Sequence, residues 1–104
     1  MNMKPDQLED TIVKESQVKP KLPKDYKVIL LNDDYTPMEF VVFTIQKVFN
    51  KSLDEATRVM LKIHTEGIGI GGMYPLEIAE TKKNQVLNLA KEASHPLQCI
   101  IEKI

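Results

Sequence analysis

Two helix-start signals stand sixteen residues apart in this chain, Thr36-Pro37-Met38-Glu39 and Ser52-Leu53-Asp54-Glu55. In each, a hydroxyl side chain can accept from an early helix amide while a glutamate three positions on reaches back to the cap amide. Pro37 suits the first helical position, where a missing N–H costs nothing. Apolar residues then recur at Met38, Val41, Val42, Ile45, Val48 and Phe49, and again at Leu53, Ala56, Val59, Met60 and Ile63, at spacings of three and four. Each set is one stripe of a helix. Gly67 is placed to end the second helix. With so few residues between them, the two helices must form an antiparallel hairpin, and its apolar face needs a second layer to cover it.

The flanking sequence supplies that layer. Tyr26 to Leu31 is a short β-branched and aliphatic run that stops at Asn32-Asp33-Asp34, residues that favour turns, so it predicts a buried strand. Ile68 to Tyr74 contains Gly69, Gly71 and Gly72 with Ile68 and Ile70 alternating, and predicts a short, weak strand. It is not a phosphate loop, because the Lys-Ser/Thr ending and the later acidic residue of a nucleotide fingerprint are missing. A third helix is expected from about Leu76 to Ala93, with Ala79, Val86, Leu89 and Ala90 inward and Lys82, Lys83, Asn84 and Lys91 outward. Tyr74-Pro75 gives its start a proline but no capping oxygen. Pro96 forces His95 into an extended conformation, and Leu97, Cys99 and Ile101 then share one face of a closing strand. The order β-α-α-β-α-β implies an α+β fold, an α/β sandwich with a small sheet against three helices.

The chain has 104 residues, a ceiling of one domain. Residues 1–25 lack aromatics and glycine, hold three of the six prolines and mix five acids with five lysines, which reads as a disordered extension before a core at 26–104. The 14 basic and 15 acidic residues leave a net charge of -1, without the basic excess that nucleic acid selects for. No apolar run approaches the roughly 18 residues of a membrane span. One cysteine closes no internal disulfide, and no signal peptide opens the chain, so a reducing cytoplasm is the expected compartment.

The hairpin also builds a site. Met38 and His64 lie about equally far from the helix–helix turn near Lys51, so they should be neighbours. Val41 falls near Met60 and Ile63 by the same reasoning. Asn32-Asp33-Asp34, at the entry to the first helix, then sits beside the exit of the second at His64. An amide oxygen, carboxylates and an imidazole would ring an apolar patch, a place suited to a cation with an apolar tail. Each residue also has a plainer reading. Asp33 and Asp34 complement a helix dipole, His64 does so at the other end, methionines at helical spacing fill cores, and Lys82 with Lys83 make a solvated face. Cys99, His64 and Asp33 could in principle form a thiol, base and orienter, but Cys99 lies on an inward strand face where thiols are usually inert. Two histidines and one cysteine show no metal-ligand spacing, and nothing calls for a cofactor.

Leu31-Asn32-Asp33-Asp34-Tyr35-Thr36-Pro37-Met38-Glu39-Phe40-Val41, followed by Met60-Leu61-Lys62-Ile63-His64, resembles the ClpS adaptor family, and Ala79-Glu80-Thr81-Lys82 and His95-Pro96-Leu97 with Cys99 and Glu102-Lys103 extend the likeness. The resemblance implies a small three-stranded antiparallel sheet packed against three helices, similar to the C-terminal domain of ribosomal protein L7/L12. It implies no enzyme activity. The implied function is a bacterial cytoplasmic adaptor, expected to be a monomer, that binds substrates with N-terminal Leu, Phe, Tyr or Trp and delivers them to a Clp ATPase coupled to ClpP. Carried over by position, Asn32, Asp33 and His64 would hold the substrate α-amino group. Asp34, Thr36, Met38, Val41, Met60, Ile63 and Leu97 would form the pocket wall, with Met38 as the gate against β-branched residues. Glu77 and Lys82 would touch the N-terminal domain of a ClpA- or ClpC-type ATPase. Gly69 stands where the family often has alanine, and is expected to loosen its strand and leave the site alone. The alternative is a ribosome-associated or other interaction module of similar fold, which would not require these pocket residues.

Overall fold

The strand that begins at Tyr26 carries Val28, Ile29 and Leu30 in a row, all buried, as a central strand with neighbours on both sides should be. In this computed structural model, which describes residues 22–104, the order is β1 (Tyr26–Leu31), α1 (Met38–Phe49), α2 (Leu53–Glu66), β2 (Ile68–Tyr74), α3 (Leu76–Glu92) and β3 (Gln98–Lys103). The expected disordered extension falls almost wholly outside the described residues. The sheet order is β2-β1-β3, with both pairings antiparallel. Leu31 is in register with Ile68 on one side and Gln98 on the other. The helices cover the face bearing Val28 and Leu30, joined in one core by Ile45, Val48, Met60, Ile63, Val86 and Cys99 among others. Ile29 faces the other way, between Ile70 and Ile100. The α/β sandwich and the β-α-α-β-α-β order expected from the sequence are the ones observed.

The start of α2 follows its sequence signal. Ser52 Oγ accepts from the Glu55 amide at 3.1 Å, and Glu55 Oε1 accepts from the Ser52 amide at 3.2 Å. Gly67 ends the helix at φ 94°, a left-handed position that costs glycine no Cβ clash, and its N–H donates to the Ile63 carbonyl. The start of α1 is built otherwise. Pro37 takes the cap position and no side chain caps it, so neither Thr36 nor Glu39 plays the expected part. The reason lies upstream: the Thr36 amide and hydroxyl both donate to Asp33 instead.

Two burial expectations also change. Leu53, placed on the buried side of α2, is 60% exposed, because the first turn projects beyond the core. Lys82, expected on a solvated face, is half-buried: its Nζ donates to the Val48 carbonyl at 2.8 Å and lies 5.7 Å from the centre of the Tyr74 ring. It caps the last turn of α1, where a cation meets carbonyls without helical partners. The glycine strand turns its small residues inward, burying Gly69 and Gly71 and exposing Ile68 and Ile70. A Cβ on Gly71 would lie 2.5 Å from the Phe49 ring. A Cβ on Gly69 would lie 2.6 Å from Ile63 Cγ1. Helix side chains therefore fill the space where strand side chains would stand, and Ile63 packs over Gly69 in this way.

Candidate functional site

Three segments meet at the end of the helix hairpin: the β1–α1 loop, the opening turns of α1 and the last turns of α2. They enclose an open cavity of about 210 Å³. Met38, Val41, Met60 and Ile63 form its apolar lining, and Asn32, Asp33, Asp34, Thr36 and His64 form its polar part. Val41, Met60 and Ile63 are buried in the core, so the deep wall is rigid, whereas Met38 is 44% exposed at the mouth. Asn32, Asp34 and His64 are exposed to solvent, and Asp33 and Thr36 are half-buried.

The loop is held from both ends. The Asn32 amide donates to the Gly67 carbonyl at 2.9 Å, which fixes the exit of β1 to the exit of α2. Asp33 then organises the turn: Oδ1 accepts from the amides of Tyr35 and Thr36, and Oδ2 accepts from the Thr36 hydroxyl, each at 2.8 Å. Partial desolvation pushes the Asp33 carboxyl upward, but the Thr36 and Tyr35 hydrogen bonds and the nearby His95 charge outweigh it and hold the group below its ordinary value. A carboxylate therefore persists at the cavity well into the acid range. It favours a cationic ligand over a neutral one.

Nine of the ten residues expected around the ligand line this one cavity. Leu97 does not. It is 2% exposed and belongs to the core, at the approach to β3. Glu77 is exposed on the first turn of α3, beside a groove formed with Leu22, Tyr26 and Ile78. Lys82 lies five residues further on, about 140° around the helix at 3.6 residues per turn, and is occupied with α1 and Tyr74. His95 was not legible as part of the site. It meets Phe40 of α1 edge-on, with centroids 4.6 Å apart, and its charge reaches Asp33. No local pattern links residues 33 and 95, since only the packing of the chain beyond α3 against α1 joins them.

Cys99 stands apart from the cavity. It is buried, and desolvation pushes its thiol up to about 12 against a small opposing effect of Lys83. A thiol held protonated in this way is a poor nucleophile.

An antiparallel sheet under a helix hairpin, whose open end encloses a cavity with an apolar lining and a carboxylate rim, is the frame of the candidate site. Residues 21–100 match the family described as ATP-dependent Clp protease adaptor protein ClpS. The ATP-dependent Clp protease adapter protein ClpS of Hyphomonas neptunium is 56% identical over 89 residues, covering 86% of this chain and 75% of that protein. The protein of the same name from Paraburkholderia xenovorans is 52% identical over 99 residues, 95% of each chain. Agrobacterium tumefaciens ClpS2 bound to L-phenylalaninamide superposes with a TM-score of 0.76 at 44% identity, covering 80% of this chain and all of that one. The chain belongs to the ClpS family of Clp protease adaptors.

The Asp33 arrangement predicts a signed pH effect. A carboxyl whose folded value is depressed adds stability that is fully present above its unfolded value of about 3.9 and is lost as pH falls through the folded value. Thr36→Val removes one donor to Oδ2. Carbon-detected NMR titration should find the Asp33 carboxyl below about 3.9 in the native chain and higher in Thr36→Val, and the variant should lose about 0.5 to 1.5 kcal/mol at neutral pH in denaturant unfolding. An unchanged Asp33 titration would remove the hydroxyl from this account.

Proposed function

We propose that the protein binds the first residue of substrate chains that begin with Leu, Phe, Tyr or Trp, and delivers those substrates to a Clp ATPase coupled to the ClpP protease. The observation that carries the proposal is the cavity itself: a carboxylate rim over a Met38, Val41, Met60 and Ile63 lining. It is supported by the likeness to a ClpS2 bound to L-phenylalaninamide. That ligand has a free amino group, an apolar side chain and an amide where a peptide would continue. The loop and the cavity offer a complement to each part.

In this reading the substrate ammonium donates to the Asn32 amide oxygen, to the remaining acceptor capacity of Asp33, and to the unprotonated nitrogen of His64. Asp34 and Thr36 shape the adjacent wall, and the first side chain enters between the two helices. Asp33 has two roles, since the bonds that order the loop also fix its charge beside the cavity mouth. Each hydrogen bond to a charged group contributes about 1.5 to 3 kcal/mol, and burial of a Leu or Phe side chain about 1.5 to 3 kcal/mol more. After the entropy of ordering a short peptide, the sum suits micromolar affinity, about -8 kcal/mol. Residues branched at Cβ would meet Met38 at the mouth before their apolar end reaches Met60 and Ile63.

The protein would act as a cytoplasmic, monomeric adaptor without catalysis of its own, in keeping with the raised thiol of Cys99. Glu77 is exposed beside an apolar groove and is the better placed of the two candidate ATPase contacts. Lys82, tied to Val48, would support the docking face more than form it.

Fluorescence anisotropy with a peptide beginning in Leu or Phe should give micromolar binding, and acetylating its amino group should abolish most of it by removing the charge and the donors. Equal binding of the acetylated peptide would refute the ammonium site. Met38→Ala should admit peptides beginning with Ile or Val that the native chain rejects, and no gain for them would show that Met38 is not a gate.

A further inference from the structure

The helices cover one face of the sheet, and the opposite face is apolar as well. Its middle row, in register across the three strands, is Ile70, Ile29 and Ile100, with Met73 on one side of that row and Ile68 and Leu31 on the other. Ile29 is 4% exposed because its two neighbours enclose it, whereas Ile68, Ile70, Met73 and Ile100 are 48%, 37%, 46% and 43% exposed. The two charged residues of this face, Lys27 and Glu102, pair with each other at 3.5 Å, so it offers no net charge to a partner. Four half-exposed side chains make a patch on the order of a few hundred Å², a size at which an apolar patch on a monomer is often functional. A stable dimer buries about 800 Å² on each partner, so a second copy finds too little surface here.

The occupant that fits is the chain itself. Residues 1–21 lie outside the described residues, and the described chain begins at Leu22, which shares a groove with Tyr26, Pro75 and Ile78. Pro75 follows the last residue of β2, so the preceding segment arrives at the corner of the sheet where Met73 begins the apolar face. Between Pro5 and Pro20 its apolar residues are Leu8, Ile12, Val13 and Val18, too few for a core of their own. Leu8 and Ile12 stand four apart, the spacing of neighbours on one side of a helical turn. We propose that the segment Leu8–Val13 docks on the open sheet face, with Leu8 and Ile12 against Ile70, Ile29 and Ile100. The reach suffices. Ile70 is three residues from Met73, about 10 Å along the strand, and Ile100 lies two strand spacings away, about 10 Å across. Residues 14–21 span up to about 26 Å when extended. Tethering holds the segment at a local concentration in roughly the millimolar range, so a contact too weak to retain a separate partner is occupied here. This face looks away from the helices, and a segment docked on it leaves the cavity open. The inference therefore stands apart from the first-residue reading.

Amide NMR of the full chain with a nitroxide on Asp10→Cys tests this. The label sits within the segment, and Cys99 stays unlabelled because it is buried with its thiol pushed up to about 12. The amides of Ile29, Ile70 and Ile100 should lose several-fold more intensity to the nitroxide than those of α1. Adding Leu8→Ser and Ile12→Ser, two changes outside the core, should bring the sheet amides back to the level of α1. A mixture of isotope-labelled chain without nitroxide and unlabelled chain carrying it should show no loss, as a contact within one chain requires. Loss in that mixture would assign the face to a second copy and overturn the inference. Loss centred on the groove at Leu22 and Ile78, loss spread evenly over all amides, or a pattern unchanged by the two serines would overturn it equally.

Discussion

The 2.9 Å hydrogen bond from the Asn32 amide to the Gly67 carbonyl ties the end of β1 to the end of α2, and the site depends on that junction. Connectivity makes it necessary. β2 pairs with β1 from Ile68 opposite Leu31, so the residue leaving α2 must arrive where β1 stops. The β1–α1 loop therefore begins beside the last turn of α2, whichever side chains it carries. The sequence then fills this place with polar groups. Asn32, Asp33 and Asp34 approach from the loop, and His64 from the helix. The apolar part of the cavity follows from the same geometry, because Met38, Val41, Met60 and Ile63 stand on the facing sides of α1 and α2 at the open end of the hairpin.

Asp33 shows how folding and binding chemistry share one group. Its carboxylate takes three hydrogen bonds to shape the turn into α1, and those bonds also keep it charged. A charge arranged before the ligand arrives avoids the entropy of ordering the loop on binding. A parallel division holds in β2, where the missing side chains of Gly69 and Gly71 are replaced by Ile63 and Phe49 from the helices. The strand gives up its own packing so that α1 and α2 can lie close to the sheet, and one of the two intruding side chains is a wall of the cavity.

Most of the fold was legible because helix and strand periods alternate along the chain with clear stops. Ser52 to Glu55, Gly67 and Pro96 mark boundaries by local chemistry, and the structure keeps them. The errors came where a distant or stronger partner won. Thr36 reads as a helix cap, but Asp33, three residues earlier, is the stronger acceptor and takes its hydroxyl and amide. Lys82 reads as solvated because its partner, the Val48 carbonyl, lies 34 residues away. Leu97 is drawn into the core, away from the cavity lining. The grouping around the cavity could be foreseen because a short hairpin leaves little choice about which ends meet. The contribution of His95 and the support of Ile63 by Gly69 are tertiary facts that periodicity does not encode.

The most direct test of the central claim, that the rim and the apolar lining act together on one amino-terminal residue, is an amide NMR titration of the full chain with L-phenylalaninamide. Saturable shifts confined to residues 32–38, the end of α2 and the Gly67–Gly69 stretch are expected, with N-acetyl-L-phenylalaninamide producing almost none. Shifts centred on another surface, or equal shifts from the two ligands, would contradict it.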